Sequence, residues 1–132
     1  MKKSSLTIQE HWILDGDFTP ESGQQALKKV IFSGKLPTAL IYANDLMALD
    51  ALTEMQNAKV KVPEELTLIG FDGIGITAFT NPPLTTMRQP LFDMGYTAAE
   101  ILFSKIKDPE QPPEYRIFPV ELIERKSVSD NK

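Results

Sequence analysis

Two short apolar runs constrain the fold of this 132-residue chain more than any other feature. They read ALIYA (39–43) and LTLIGF (66–71), and neither contains a charged residue. Uninterrupted apolar runs are typical of strands buried on both faces, as in parallel sheets that helices cover. Because amphipathic helical patterns alternate with these runs, the sequence predicts an α/β domain with a parallel sheet. The length allows one such domain and not two.

Helix and strand signals place the other elements along the chain. Thr19 and Pro20 have the residue types of an N-cap and a first helical position, so a helix is predicted over 20–34. A second helix is predicted over 45–57. The remaining predicted elements are a strand over 11–16, an irregular stretch over 73–83, a strand over 84–88, a helix over 90–107, closing strands over 115–125 and a disordered tail over 127–132.

Composition excludes several classes of function. The chain carries 14 Lys and Arg against 18 Asp and Glu, and this net charge of -4 argues against a nucleic-acid-binding surface within it. It has no cysteine and one histidine, His11, which excludes thiol catalysis, disulfides and multi-histidine metal sites. The spacing of Gly70, Gly73 and Gly75 does not fit a dinucleotide-binding loop. We therefore expect no enzyme activity, no cofactor and no metal site.

The apolar segments are too short for a membrane protein. No run approaches the ~18 residues of a membrane span. The N-terminus is basic but lacks the apolar segment of a signal peptide. We therefore expect no membrane partner, although the missing signal peptide does not fix the compartment of a longer parent protein.

Two polar residues directly follow the apolar runs, Asn44 after the first and Asp72 after the second. The carboxyl ends of parallel strands lie along one edge of a sheet, beside the crevice where such folds bind ligands. We therefore expect both side chains at that edge, where an amide and a carboxylate suit the vicinal hydroxyls of a sugar. The structural alternatives are a helix N-cap for Asn44 and a turn next to Gly73 for Asp72.

An aromatic residue, Phe18, follows the first predicted strand within a Gly-Asp-Phe-Thr turn. At that position an aromatic ring has access to the same edge and can stack on a sugar ring or a base. The alternative is a hydrophobic staple onto the helix that starts at Pro20. Asp15 and Asp17 in the same turn are predicted to be solvated turn residues and not a catalytic pair.

The helix predicted over 45–57 has leucines outside its core-facing stripe. At about 100° per residue the stripe consists of Met47, Ala48, Ala51, Leu52 and Met55. Leu46 and Leu49 fall among polar residues, and an exposed helix face rarely carries two leucines that nothing covers. We expect another subunit to cover them, and a loop of the same chain is the alternative.

Four longer segments resemble the C-terminal half of LacI/GalR-family transcriptional repressors. In chain order they read PTALIYANDLMALDAL, VPEELTLIGFDGI, NPPLTTMRQPLFDMGYTAAEIL and PVELIERKS, and the GDFTPESG turn fits the same family. The resemblance runs from about residue 13 to residue 127. It implies a three-layer open parallel sheet, specifically an incomplete C-terminal subdomain of the periplasmic-binding-protein-like type I fold.

The family's topology implies three parts in this chain. Residues 1–89 correspond to part of the C-terminal effector-binding subdomain. Residues 90–118 correspond to a crossover helix and loop that pack on an N-terminal subdomain. Residues 119–132 correspond to a return strand and tail.

The resemblance also implies functional residues and partners. Asn44, Asp72, Phe18 and Gln89 match positions at or near the effector, which is usually a sugar. Leu46 and Leu49, together with Ile76 and Phe79 after the GFD motif, match the interface of a homodimer. DNA is bound in this family through an N-terminal helix-turn-helix, and the resemblance implies a cytoplasmic protein. The alternatives are a periplasmic sugar-binding transport protein of the same fold, or a regulator that responds to a purine or a protein partner.

The sequence also departs from the family's pattern. It has no helix-turn-helix, no N-terminal subdomain and no counterpart of the Arg-containing segment that clamps the sugar. Asp50 replaces a usual glycine, a change that disturbs the expected dimer interface. The opening residues resemble the end of an interior helix and the strand after it, so we expect Met1 to be an internal residue and the chain to be a fragment.

The helix over 90–107 has an apolar stripe without an expected partner in this chain. The stripe consists of Leu91, Met94, Ala98, Ile101, Leu102 and Ile106. Because burying each of these side chains contributes about 1.5 kcal/mol, we expect the helix not to stand bare in water. It should fold back on its own sheet, exchange with a neighbouring molecule, or be ordered as part of a longer protein.

Overall fold

The computed structural model describes residues 9–129, which contain three α-helices, four strands and two short 3-10 helices. The helices are α1 (Pro20–Phe32), α2 (Asp45–Asn57) and α3 (Leu91–Lys107). The strands are β1 (Ala39–Ile41), β2 (Thr67–Asp72), β3 (Thr85–Arg88) and β4 (Glu121–Ile123). The 3-10 helices are Glu10–Trp12 and Gly75–Ala78. The interpretation of residues 1–12 as the end of an interior helix and the following strand falls mostly on 1–8, which lie outside the described residues, while Glu10–Trp12 forms a 3-10 helix.

The four strands form one mixed sheet in the order β1-β2-β3-β4. β1, β2 and β3 run parallel, which confirms the predicted α/β fold class, but β4 is antiparallel to β3. The sequence predicts a parallel sheet but no direction for the closing strands, and the structure adds this antiparallel last strand. The chain leaves the sheet after Arg88 and re-enters at Glu121 directly opposite, so β4 runs back along β3. A parallel entry would need another crossover.

The predicted core stripe of α2 is confirmed. All five of its residues are buried, and α2 packs against both α1 and β2. The buried cluster consists of Leu27, Tyr42, Met47, Ala48, Ala51, Leu52, Met55, Leu66, Leu68 and Leu84. Both α1 and α2 begin with a capped turn, because the side chains of Thr19 and Asn44 accept hydrogen bonds from backbone N–H groups inside each helix. The core therefore fixes the start of α2 at the carboxyl end of β1.

Three local predictions are wrong. The strand expected over 11–16 is a 3-10 helix followed by irregular chain, and the closing strands over 115–125 shrink to β4. The tail expected to be disordered begins with a buried residue, Ser127. Its hydroxyl donates to the carbonyl of Leu68 (2.6 Å) and accepts from the N–H of Thr85 (2.8 Å), so it joins β3 to β2. Residues 130–132 of that tail lie outside the described residues.

The helix α3 stands away from the core, and none of its residues is buried against the described part of the chain. Phe92 is 82% exposed, and the predicted apolar stripe is exposed or half-buried along its length. Of the three arrangements expected for α3, folding back on the sheet is therefore wrong. Exchange with a neighbouring molecule, which the proline-rich flanking loops favour, and order within a longer protein stay predictions. Lys105 Nζ donates to the carbonyls of Pro109 and Gln111. These bonds attach the following loop to α3, and they do not attach α3 to the sheet.

Candidate functional site at the carboxyl edge of the sheet

The structure joins two of the predicted ligand-binding residues, Asp72 and Gln89. Asp72 ends β2, and its Oδ1 accepts a hydrogen bond from Gln89 Nε2 at 2.8 Å. The backbone N–H of Gln89 also donates to the carbonyl of Asp72 at 3.1 Å. Both residues are half-buried, and Asp72 Oδ2 accepts no hydrogen bond from the described residues. The edge therefore presents an oriented carboxylate with one oxygen available.

Asn44 is the N-cap of α2, which was the structural alternative considered for it. Its Oδ1 accepts from the N–H of Met47 (2.8 Å), and its Nδ2 donates to the carbonyl of Phe18 (2.9 Å). An amide has two acceptor lone pairs and two N–H donors, so each half retains one for another partner. Asn44 thus links the start of α2 to the turn that carries Phe18, and its role in ligand binding stays a prediction.

Phe18 lies in the left-handed region at φ 66°, and its side chain is 65% exposed. The ring borders a pocket of about 160 Å³ whose apolar walls come from the 12–16 segment, β1 and the start of α2. Asn44, Asp72 and Gln89 do not line that pocket. The structure therefore separates the predicted ligand-binding residues into an aromatic side and a polar side. Phe18, with Asn44 bonded to its carbonyl, forms the aromatic side, and Asp72 with Gln89 forms the polar side.

Sequence reasoning missed the most connected side chain at this edge, Asp45. It is fully buried, and its carboxylate accepts hydrogen bonds from the N–H groups of Gly73 and Ile74 and from the hydroxyl of Thr86. A polar threonine inside a buried strand and a glycine opposite it, Gly70, were the available signals. Neither signal identifies a buried carboxylate, because that depends on how α2 packs on β2.

Asp17 is exposed in the turn before α1, as predicted for a solvated turn residue. Asp17 Oδ1 accepts from the hydroxyl (2.6 Å) and the backbone N–H (3.0 Å) of Thr19. These hydrogen bonds, led by the one from the hydroxyl, lower the pKa of Asp17 below its ordinary value. The shift stabilises the ionised carboxylate, so the turn is held by a charged acceptor and is not tuned for acid chemistry.

Three of the four residues predicted for a dimer interface have exposed side chains. Phe79 is 83% exposed and Ile76 is 55% exposed, both in or after the 3-10 helix Gly75–Ala78. Leu46 is 48% exposed, whereas Leu49 is half-buried and packs against the core. Leu49 and Ile76 line an open hollow of about 410 Å³ between α2 and this loop. No loop among the described residues covers Phe79, so the predicted interface remains available.

The described residues contain neither a metal-binding cluster nor a membrane-spanning helix. Residues 9–129 contain no cluster of three His, Cys, Asp or Glu side chains that could hold a metal ion. Within the same residues, no helix is both long and apolar enough to cross a membrane.

Known proteins match this sequence and this fold along nearly the whole chain. The sequence pattern of the periplasmic binding protein-like domain family matches residues 1–128. The chain belongs to this family. This periplasmic binding protein-like domain is 43% identical over 131 residues to the HTH-type transcriptional repressor PurR of Aliivibrio fischeri (strain ATCC 700601 / ES114). That match covers 96% of the chain and 38% of the repressor.

Solved structures agree with the sequence match. The domain superimposes with a TM-score of 0.94 on a putative LacI transcriptional regulator from Bacillus cereus subsp. cytotoxis NVH 391-98, at 27% identity over 99% of this chain and 46% of that one. It superimposes with a TM-score of 0.88 on the transcriptional regulator CelR in complex with cellobiose, at 28% identity over 96% of this chain and 38% of that one. The predicted resemblance to the C-terminal part of the LacI/GalR effector-binding core is confirmed. The domain spans less than half the length of these relatives.

Proposed function

We propose that this domain is the effector-binding and dimerisation portion of a LacI/GalR-type transcriptional regulator. The observation that carries the proposal is the oriented Asp72–Gln89 pair at the carboxyl edge of the sheet, in a chain that is 43% identical to a repressor over nearly its full length. DNA is contacted by a helix-turn-helix outside these residues, and the protein acts in the cytoplasm. A transport role is not favoured, since the relatives described above are transcriptional regulators.

The effector is a small polar molecule with an apolar or aromatic face. The available Oδ2 of Asp72 accepts a hydrogen bond from a ligand hydroxyl or N–H group, and Gln89 keeps the carboxylate in place from the other side. The exposed ring of Phe18 supplies a surface on which a sugar ring or a base stacks. A sugar is the first candidate, because a carboxylate at Asp72 and an amide at Asn44 are both groups that pair with sugar hydroxyls. A purine is the alternative, because Phe18 stacks equally well on a base.

The effector acts by shifting a conformational equilibrium. A ligand that binds one arrangement of the core more tightly than another increases the population of that arrangement. In a dimer this changes how the two DNA-binding segments are spaced, and the ligand and the operator then influence one another reciprocally. The coupling therefore requires both the carboxyl-edge site and the face formed by Leu46, Leu49, Ile76 and Phe79.

Asn44→Ser is expected to weaken effector binding by about 1–3 kcal/mol and to leave folding largely intact. Serine keeps the helix cap but cannot donate to the carbonyl of Phe18 or reach a ligand as the amide does. The measurement is calorimetric titration of the protein with cellobiose, ribose and adenine in turn, because this series separates sugar from purine effectors. Thermal unfolding of both proteins is the control. Unchanged affinity in a folded Asn44→Ser protein would make Asn44 a cap and nothing more.

A further inference from the structure

Asp45 is a buried carboxylate whose three hydrogen bonds all end beside the candidate site. Its Oδ2 accepts from the N–H of Gly73 (2.8 Å) and from the N–H of Ile74 (2.9 Å). Its Oδ1 accepts from the hydroxyl of Thr86 on β3 (2.6 Å). A helix-capping role does not need these partners, because the neighbouring Asn44 is already the cap of α2. The carboxylate of Asp45 therefore acts on the chain that follows β2.

The backbone that Asp45 holds has an unfavourable conformation. Asp72 has φ 122° and Gly73 has φ 78°. A side-chain-bearing residue at such a φ is strained, and the strain persists only where the surrounding structure imposes it. The two N–H groups bonded to Asp45 come immediately after Asp72, so the buried carboxylate fixes the backbone at the point where the strain lies.

The fold makes room for this arrangement. Gly70 lies on β2 beside the carboxylate, and a β-carbon there would overlap Asp45 Oδ1. Gly73 lies against Arg88, where a β-carbon would be 2.6 Å from the Arg88 Cα. Two glycines on either side of Asp72 thus let α2, β2 and β3 approach closely enough for one carboxylate to join all three. Since Gln89 follows Arg88, the same contacts set the distance between the Asp72 carboxylate and its amide partner.

We propose that Asp45 is the positioning residue of the effector site: it holds Asp72 in its strained backbone conformation and so keeps the Asp72 carboxylate against Gln89 and turned toward the ligand. The proposal rests on the proposed function for its ligand-binding consequence. Asp45 touches no ligand itself. Its effect on the backbone at Gly73 and Ile74 is measurable without any ligand.

The first arm of the test is hydrogen exchange by NMR on wild-type protein, Asp45→Asn and Thr86→Val. Asp45→Asn removes the charge with little change in size, and Thr86→Val removes the hydroxyl that donates to Asp45 and also accepts from the N–H of Gly73 (3.3 Å). Glu64→Gln changes an exposed carboxylate in the turn before β2 and is the matched control. The amide protons of Gly73 and Ile74 and the side-chain amide of Gln89 are expected to exchange about 10-fold faster in Asp45→Asn, but not in Glu64→Gln. Unchanged exchange at these positions in a folded Asp45→Asn protein overturns the proposal. If Asp45→Asn does not fold, Thr86→Val gives the decision at the amide of Ile74, because the Thr86 hydroxyl is itself an acceptor for the N–H of Gly73.

The second arm is titration of the same proteins with cellobiose, ribose and adenine. A probe that binds wild type is expected to bind Asp45→Asn about 10-fold more weakly, because losing the charge-assisted contacts leaves Asp72 free to turn away. Equal affinity for that probe together with faster exchange overturns the positioning role. If wild type binds none of the probes, the proposed effector function fails, and the exchange arm still decides whether Asp45 holds the backbone at Asp72.

Discussion

Gly23→Ala is expected to lower the free energy of unfolding by about 3 kcal/mol, a large loss for one methyl group. Gly23 lies where α1 crosses the start of α2. A β-carbon at this position would overlap the backbone carbonyl oxygen of Met47 and lie 2.6 Å from its Cα and 2.7 Å from its carbonyl carbon. Rotation of a side chain cannot relieve a clash with backbone, so the two helices must separate. The separation moves Asn44 and Asp45, and we expect weaker effector binding as well.

Gly75→Ala makes the same chemical change where there is space. No atom lies within 4 Å of a β-carbon built at Gly75, and its φ is not positive. Urea unfolding of both variants is expected to leave Gly75→Ala within about 0.5 kcal/mol of wild type. Equal stability of the two variants would mean that α1 and α2 do not approach as closely as the structure places them.

Phe79→Asp is expected to convert a dimer of this protein to monomers. Phe79 is largely exposed in one copy of the chain, and the predicted interface would bury its ring against a second copy. In a two-fold symmetric interface each substitution occurs twice, so losing about 1.5–3 kcal/mol per ring raises the dimer dissociation constant at least about 100-fold. An introduced carboxylate increases this loss, because it would be desolvated without a partner.

Sedimentation equilibrium of wild-type and variant protein measures the change directly. Phe32→Asp is the matched control, since Phe32 is an equally exposed phenylalanine at the end of α1 and outside the predicted interface. Leu49→Asp should also dissociate the dimer, but Leu49 packs against the core and its substitution would lower stability as well. A Phe79→Asp protein that remains dimeric would place the interface elsewhere.

Local sequence patterns predicted the elements whose burial is set within the chain. The apolar stripe of α2 and the apolar run that forms β2 are in the core as predicted, because helical periodicity and uninterrupted apolar segments report burial. The prediction that the run 39–43 is buried on both faces is wrong, since Ile41 of β1 is 75% exposed. The same reasoning did not give the direction of β4 or the surroundings of α3. The direction of β4 depends on where the chain re-enters the sheet, and the exposure of α3 depends on which surfaces are present to receive it.

The candidate site was predictable only in part for a similar reason. The position of Asp72 at the end of a predicted strand was correct, and its bond to Gln89 follows from the neighbouring strand end. Asp45 was not identified, because a carboxylate beside a helix start is ordinarily exposed. Asp45 can be buried because Gly70 has no side chain to fill its space and because the hydroxyl of Thr86 donates to it. These two residues lie next to Asp45 only in the folded sheet.

The central claim is that a small molecule binds at the carboxyl edge of the sheet through the Asp72 carboxylate. Calorimetric titration of wild type, Asp72→Asn and the control Glu64→Gln with cellobiose, ribose and adenine tests it most directly. Asparagine retains an oxygen for Gln89 but removes the charge, so Asp72→Asn is expected to bind the effective probe at least about 10-fold more weakly. Glu64 is exposed in the turn before β2, away from the carboxyl edge, so Glu64→Gln is expected to bind the probe as wild type does. Equal affinity of all three proteins for that probe, or no binding of any probe by wild type, would contradict the claim.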